Sequence, residues 1–412
     1  MNFQGSRDAA AEIDSAYSWL RLGLSLMLST VAGIGLWSYI VALPIIQADF
    51  GVTRADASVP YTFLTIGFAL GGVAMGRLVD RFGIAVPAAI GATALGLGYL
   101  ASSYAANMWQ LALAHGLLIG FGSSATFAPL IADISHWFQR RRGIAVAIVA
   151  SGNYLAGTIW PPIVQHFIES AGWRATHVGI GIFCILTMLP LALVLRRRPS
   201  AQQETTTSAA VAAATQDALG ISPRTLQVLL VIAGLTCCLA MSMPQVHLVA
   251  YCSDLGYGVA RGAEMLSLML ACGIVSRVAS GLIADRIGGV PTLLIGSVLQ
   301  TVALLLYVGF DGLVSLYIIS ALFGLFQGGI VPSYAIIIRE YFSPKEAGTR
   351  VGLVIMATLF GMALGGWMSG AIYDLSGSYR FAFALGAFWN LINVAIAVWL
   401  VVRPGQPRLA TA

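Results

Sequence analysis

The sequence predicts an all-α membrane protein, with twelve transmembrane helices arranged as two pseudo-symmetric six-helix bundles. Three observations carry that expectation. The 412-residue chain is 58% hydrophobic and only 9% charged, more apolar than a water-soluble domain of this size needs to be. A helix needs about 20 apolar residues to cross a bilayer, and the chain offers twelve such runs. The halves also echo each other. Gly76-Arg-Leu-Val-Asp80-Arg81-Phe-Gly83 returns 205 residues later as Gly281-Leu-Ile-Ala-Asp285-Arg286-Ile-Gly288, and Trp137-Phe138 up to Gly143 returns as Tyr341-Phe342 up to Gly348.

Residues 1–19 are polar and mildly charged, without the basic stretch, short apolar core and cleavage site of a secretory signal. They are expected to form a cytoplasmic tail. Runs at roughly 20–46, 58–79, 85–104, 108–135, 142–167 and 174–195 fill an N-terminal bundle over 20–198, closed by Arg196-Arg197-Arg198. The segment 199–223, rich in Ala, Thr, Gln and Ser, reads as a cytoplasmic linker. Runs at roughly 225–250, 259–284, 290–309, 313–338, 347–371 and 379–402 fill a C-terminal bundle over 224–402, and 403–412 is a second tail. With a cytoplasmic N-terminus, the inner loops collect Arg77, Arg81, Arg140 to Arg142, Arg196 to Arg198, Arg224, Arg286, Arg339, Lys345 and Arg350. The outer loops then keep only Arg54, Arg174, Arg261 and Arg380, so both termini are expected inside. Charge and aromatic content are too low for a nucleic-acid binder despite the net charge of +5. The five cysteines, Cys184, Cys237, Cys238, Cys252 and Cys272, lack metal-ligand spacing and read as packing.

Arg277 stands out. Between Glu264 and Asp285 it is the only formal charge, deep in the eighth apolar run. Such a charge costs roughly 2.5–3.5 kcal/mol on insertion scales, and arginine does not shed its proton. It needs an acceptor, and the sequence offers no Asp or Glu at comparable depth. Two readings stand side by side. Either the acceptor is the carboxylate of a substrate, or Arg277 is structural and binds helix carbonyls at a packed interface. Asp133, one turn before Trp137, is expected to pair with the Arg140–Arg142 cluster.

The Gly-x-x-x-Asp-Arg-x-Gly loops after the second and eighth runs resemble the signature of the major facilitator superfamily. With twelve runs and a mid-chain linker, the resemblance covers the whole chain and implies the major facilitator fold. It also implies a gating role for Gly76, Asp80, Arg81, Gly83, Gly281, Asp285, Arg286 and Gly288. Physically, Gly76 and Gly281 are expected to let helices approach, and Asp80 and Asp285 to cap a neighbouring helix. Ile84-Ala85 replaces the basic residues that usually follow. Repeated halves of this kind place a substrate site near the bilayer midplane.

A narrower resemblance lies in Trp137-Phe138-Gln-Arg140-Arg141-Arg142-Gly-Ile-Ala145-Val-Ala147-Ile-Val-Ala-Ser151-Gly152. It looks like the Tyr-Phe-x-Lys-Arg-Arg-x-Leu-Ala-x-Gly-x-Ala-x-Ala-Gly motif of monocarboxylate transporters, and bacterial oxalate/formate antiporter-like relatives carry Trp-Phe there. The resemblance places Arg277 where that family's arginine pairs with the substrate carboxylate. Three features depart from it. Gly273 stands where animal members have an acid. The acidic-Gly-Gly-Trp motif near the first span has no counterpart beyond Ala32-Gly33 and Trp37. Lys345 is the only lysine in the chain. The acid and lysine usually invoked for proton handling are thus missing, and symport and exchange both stay open.

The other candidate substrate contacts are Tyr39, Tyr61, Asn153, Tyr154, His247, Gln327, Tyr334 and Phe360. Each has a structural alternative: an interface or packing role for the aromatics, helix–helix hydrogen bonds for the polar groups. His247, beside the helix-loosening Pro244, and His115, opening a glycine-rich stretch, are the candidate proton carriers.

The expected function is secondary transport of a small organic monocarboxylate, with a proton or counter-anion as the coupling partner. The protein is expected in a bacterial cytoplasmic membrane, functional as a monomer, with no cofactor, metal or enzymatic activity. An exporter of aromatic or amphipathic compounds with a structural Arg277 is the alternative. A transporter-derived membrane sensor is the alternative from another class.

Overall fold

The computed structural model describes residues 13–197 and 221–403. Most of the expected N-terminal tail, nearly all of the linker and the end of the C-terminal tail lie outside the described residues. Twelve helices are long and apolar enough to cross a membrane: Ala16–Phe50, Arg54–Phe82, Ala85–Ser103, Met108–Ser135, Arg142–Ala171, Trp173–Val194, Pro223–Asp254, Val259–Ile287, Gly289–Gly309, Leu313–Tyr341, Glu346–Ser376 and Tyr379–Val402. They are called the first to twelfth spans below. No strand occurs among the described residues.

Several helices outrun the apolar stretches that predict them, because polar residues start and stop them. Ser15 accepts from the Ser18 amide at the head of the first span, and Ser222 accepts from the Thr225 amide at the head of the seventh. Gly51 and Gly377 end the first and eleventh in the left-handed region.

The chain divides into two compact units. One comprises Met1–Val52 and Val59–Gln203, the other Thr53–Ser58 and Glu204–Ala412. Each repeats one packing scheme. In the first unit the third span packs on the sixth, and the fifth on the first. In the second unit the ninth packs on the twelfth, and the seventh on the eleventh. The second and fourth spans meet at glycine: a Cβ on Gly67 would lie 1.9 Å from the Gly116 carbonyl oxygen. The eighth and tenth do likewise, since a Cβ on Gly324 would lie 1.9 Å from the Met269 carbonyl oxygen. Backbones this close leave room for hydrogen alone, the usual device for packing helices without a hydrophobic drive between them.

Some spans are interrupted. The first breaks at Gly33, where a Cβ would meet the Ala156 Cβ at 2.4 Å. The fourth widens into a π-helical stretch over Ala114–Gly120 and breaks again before Ala128–Ser135. The tenth consists of Leu313–Gln327 and Ile330–Tyr341, with Gly328 and Gly329 between.

Within the first unit the structure corrects one expectation. Asp133 pairs with Arg21, not with the Arg140–Arg142 cluster. Arg21 Nε donates to Asp133 Oδ2 and Nη2 to Oδ1, both at 2.9 Å, and Nη2 also donates to the Leu195 carbonyl at 3.2 Å. The guanidinium lies 4.5 Å from the Trp137 ring centroid. Arg21 is 1% exposed and Asp133 5%. A buried ion pair therefore lies inside the first unit, at a cation the apolar count passes over.

Candidate substrate site

Arg277 lies half-buried on the eighth span, beside the interruption of the tenth. The sequence explains the interruption. In an unbroken helix the amide of residue 332 would serve the Gly328 carbonyl, but Pro332 has no N–H. Arg277 Nε supplies a donor in its place, 3.4 Å from that oxygen. Small residues make the approach possible: a Cβ on Gly328 would sit 2.3 Å from the Gly273 carbonyl oxygen. Gly273, where the resembled family has an acid, thus admits the tenth span. A guanidinium carries five N–H donors, and Nε of Arg277 is the one that faces this carbonyl.

Immediately before the break, buried Gln327 accepts through Oε1 from Gln245 Nε2 at 2.9 Å. Gln245 Oε1 and Gln327 Nε2 have no hydrogen-bond partner among the described residues. Exchanging oxygen and nitrogen in both amides leaves the same deficit of one acceptor and one donor. Gln245 was not among the sequence candidates. Its position directly after Pro244 was the available signal.

The other candidates of the second unit lie elsewhere within it. Tyr334 is buried and donates to Asn393 Oδ1 at 3.0 Å, inside a network in which Asn393 Nδ2 donates to Ser297 Oγ at 2.7 Å. That geometry serves helix packing. Phe360 is 38% exposed on the eleventh span. His247 is buried with both ring nitrogens engaged: Nε2 lies 2.7 Å from the Gly366 carbonyl and Nδ1 3.0 Å from the Tyr379 hydroxyl.

In the first unit, Tyr39 and His115 come together edge to face, ring centroids 4.8 Å apart, both fully buried. His115 Nδ1 donates to the Leu111 carbonyl at 2.9 Å, within the widened stretch of the fourth span. Asn153 accepts from Trp37 Nε1 through its carbonyl at 2.9 Å and its Oδ1 at 3.1 Å. Tyr61 and Tyr154 are buried.

The signature loops divide into two kinds of residue. Gly83 and Gly288 adopt φ of +75° and +87°, and their amides donate to the Val79 and Ala284 carbonyls at 2.7 and 2.8 Å. Both end their helices at a positive φ that glycine adopts without strain. Gly76 and Gly281 have open space where a Cβ would go, so they mediate no close approach among the described residues. Asp80, Arg81, Asp285 and Arg286 are exposed, and Asp80 and Asp285 accept no hydrogen bond from another described residue. The cap expected of Asp285 is made by Glu340, whose carboxylate accepts from the Gly289 amide at 3.0 and 3.2 Å.

Comparison with known proteins agrees with this architecture. The family model of the Major Facilitator Superfamily matches residues 26–310 and 265–412. Monocarboxylate transporter 13 of Bos taurus is 29% identical over 331 residues, 78% of this chain and 75% of that one. The MFS-type transporter pynF of Aspergillus niger is 26% identical over 305 residues, 74% of this chain and 69% of that one. Among solved structures, the nucleoside transporter NupG superposes with a TM-score of 0.72 at 16% identity, over 92% of this chain and 99% of that chain. At that identity the likeness is one of fold.

Proposed function

The chain belongs to the Major Facilitator Superfamily, a multi-pass membrane transporter, and from that premise we propose that it carries a small organic monocarboxylate by alternating access. It works as a proton symporter or an anion exchanger in a bacterial cytoplasmic membrane, with both termini inside. The observation that carries the reading is Arg277, a half-buried guanidinium at the break of a facing helix, whose Nε donates to the Gly328 carbonyl. A carboxylate arriving there would gain a charge-assisted bond, bidentate where two N–H groups of the planar fork reach it. The similarity to a monocarboxylate transporter supports the same ligand class. In an exchanger, the return step would need a second anion at the site.

The bond from Arg277 to Gly328 also favours a second reading, an exporter of aromatic or amphipathic compounds in which Arg277 braces the broken helix. Ligand-dependent thermal stabilisation separates the two. A ligand at about 100 times its dissociation constant stabilises by about 2.7 kcal/mol, a melting shift of roughly 5–10 °C for a unit of this size. Lactate, pyruvate or acetate should stabilise the wild type and leave Arg277→Ala unmoved. Arg277→Lys should lose most of the effect, because an ammonium lacks the planar fork. Equal stabilisation of Arg277→Ala, or a response confined to hydrophobic compounds, would overturn the carboxylate reading.

A further inference from the structure

The segment Thr53–Ser58, the first turn of the second span, packs with the second unit, while the rest of that helix packs with the first. Its anchoring is polar, with the Arg54 side chain buried and the Asp374 carboxylate exposed. The amides of Arg54 and Ala55 donate to the two carboxylate oxygens of Asp374 at 2.8 and 2.7 Å, so the helix start is capped by another span. The Arg54 side chain, 5% exposed, donates through Nη1 to the Tyr379 hydroxyl at 2.7 Å and through Nη2 to Asp254 at 3.1 Å. It also lies over the Tyr373 ring, 4.7 Å from the centroid. A Cβ on Gly370 would lie 2.7 Å from the Arg54 carbonyl oxygen, so the eleventh span seats the turn backbone to backbone.

The direction of each hydrogen bond follows from chemistry. The Gly366 carbonyl only accepts, so His247 carries its proton on Nε2. A neutral imidazole then has a bare lone pair on Nδ1, and the Tyr379 hydroxyl must donate to it. The Tyr379 oxygen is thereby left to accept from Arg54. The relay runs one way: Arg54 to Tyr379 to His247 to Gly366.

We propose that His247 is a proton-binding site whose occupancy releases the Thr53–Ser58 turn. Hydronium from solvent would give its proton to the Nδ1 lone pair and leave as water, and no bond of the protein would break. The Nδ1–H would then donate to the Tyr379 oxygen, and the Tyr379 proton, buried, would lose its acceptor. Arg54 and the imidazolium would face one phenol as like charges. Arg54 docking and a charged His247 therefore exclude each other, and each disfavours the other to the same degree. The ionisable groups around the relay are Arg54 from the second span, Asp254 and Tyr251 from the seventh, Tyr373 and Asp374 from the eleventh, and Tyr379 from the twelfth. His115, the other proton candidate, has no hydrogen-bonded link to a charged group among the described residues. The proposal deepens the transport reading by naming a coupling ion and its receptor, and it rests on that reading only for its purpose.

Hydrogen–deuterium exchange of the peptide spanning Thr53–Ser58 tests it, on the purified full chain with no carboxylate present. After correction for the intrinsic rate, exchange in the wild type should rise by about tenfold or more between about pH 8 and about pH 5. His247→Gln, which keeps an amide donor and acceptor but does not titrate, should abolish that rise. Asp374→Asn should speed exchange at every pH and keep the rise, since it weakens the cap and spares the relay. A flat wild-type profile, or the same rise in His247→Gln, would overturn the proposal and assign any pH response to Asp254 and Asp374. Neither result bears on whether Arg277 binds a carboxylate.

Discussion

Replacing Asp133 by Asn tests how the first unit is held together. The substitution keeps the volume and one acceptor oxygen but removes the charge. The two-pronged contact at 2.9 Å becomes a single bond facing a donor–donor clash. Arg21, 1% exposed, then keeps its charge beneath the Trp137 ring with no counter-ion. Breaking one side of a buried pair costs about 3–5 kcal/mol. For a unit of this size that is a fall in melting temperature of roughly 6–20 °C. Arg21→Met should do similar damage by stranding the carboxylate. The double variant Arg21→Met/Asp133→Leu should recover most of the loss or exceed the wild type. The reason is that Arg21 Nη1 already lacks a partner among the described residues, so the native pair carries a desolvation cost that apolar packing does not. Thermal denaturation in detergent, read by size-exclusion recovery, gives all four values. If the double variant is no more stable than the single variants, the buried-pair account fails.

Glycine packing and capping give further expectations. Gly324→Ala places a methyl 1.9 Å from a backbone oxygen that cannot yield, and should destabilise by about 1–3 kcal/mol in the same assay. Gly76→Ala, with nothing within 4 Å of the new methyl, should be neutral or slightly stabilising; an equal loss in both would refute the close-approach argument. Glu340→Gln should cost about 0.5–2 kcal/mol through the Gly289 cap, while Asp285→Asn should cost almost nothing. The reverse order would return the capping role to the signature loop.

The spans were legible because bilayer thickness imposes one length on every apolar run, and the repeat at Gly76 and Gly281 was legible as a repeat. The interruption of the tenth span was written in Gly328, Gly329 and Pro332, and Arg277 was marked by its isolation. The partners were hidden for a physical reason. Arg21 and Asp133 are separated by 112 positions, and apolar periodicity says nothing about which helices adjoin, so the nearer Arg140–Arg142 cluster looked like the natural partner. Arg54 read as a loop cation because it opens a helix, yet it is among the most deeply buried charges described. Asp285 looked like the cap because it is acidic and near a helix end. Only the tertiary approach of the tenth span shows that Glu340 reaches Gly289 first.

The pairing of Gly328 with Pro332 has a consequence for how such a carrier is tuned. The imino ring sets the grip of the guanidinium from four residues away, because it decides whether the oxygen has an amide of its own. An amide at 332 would offer the Gly328 oxygen a donor of its own, in competition with Arg277 Nε. Under the proposed function, affinity would then respond to a residue that never meets the cargo.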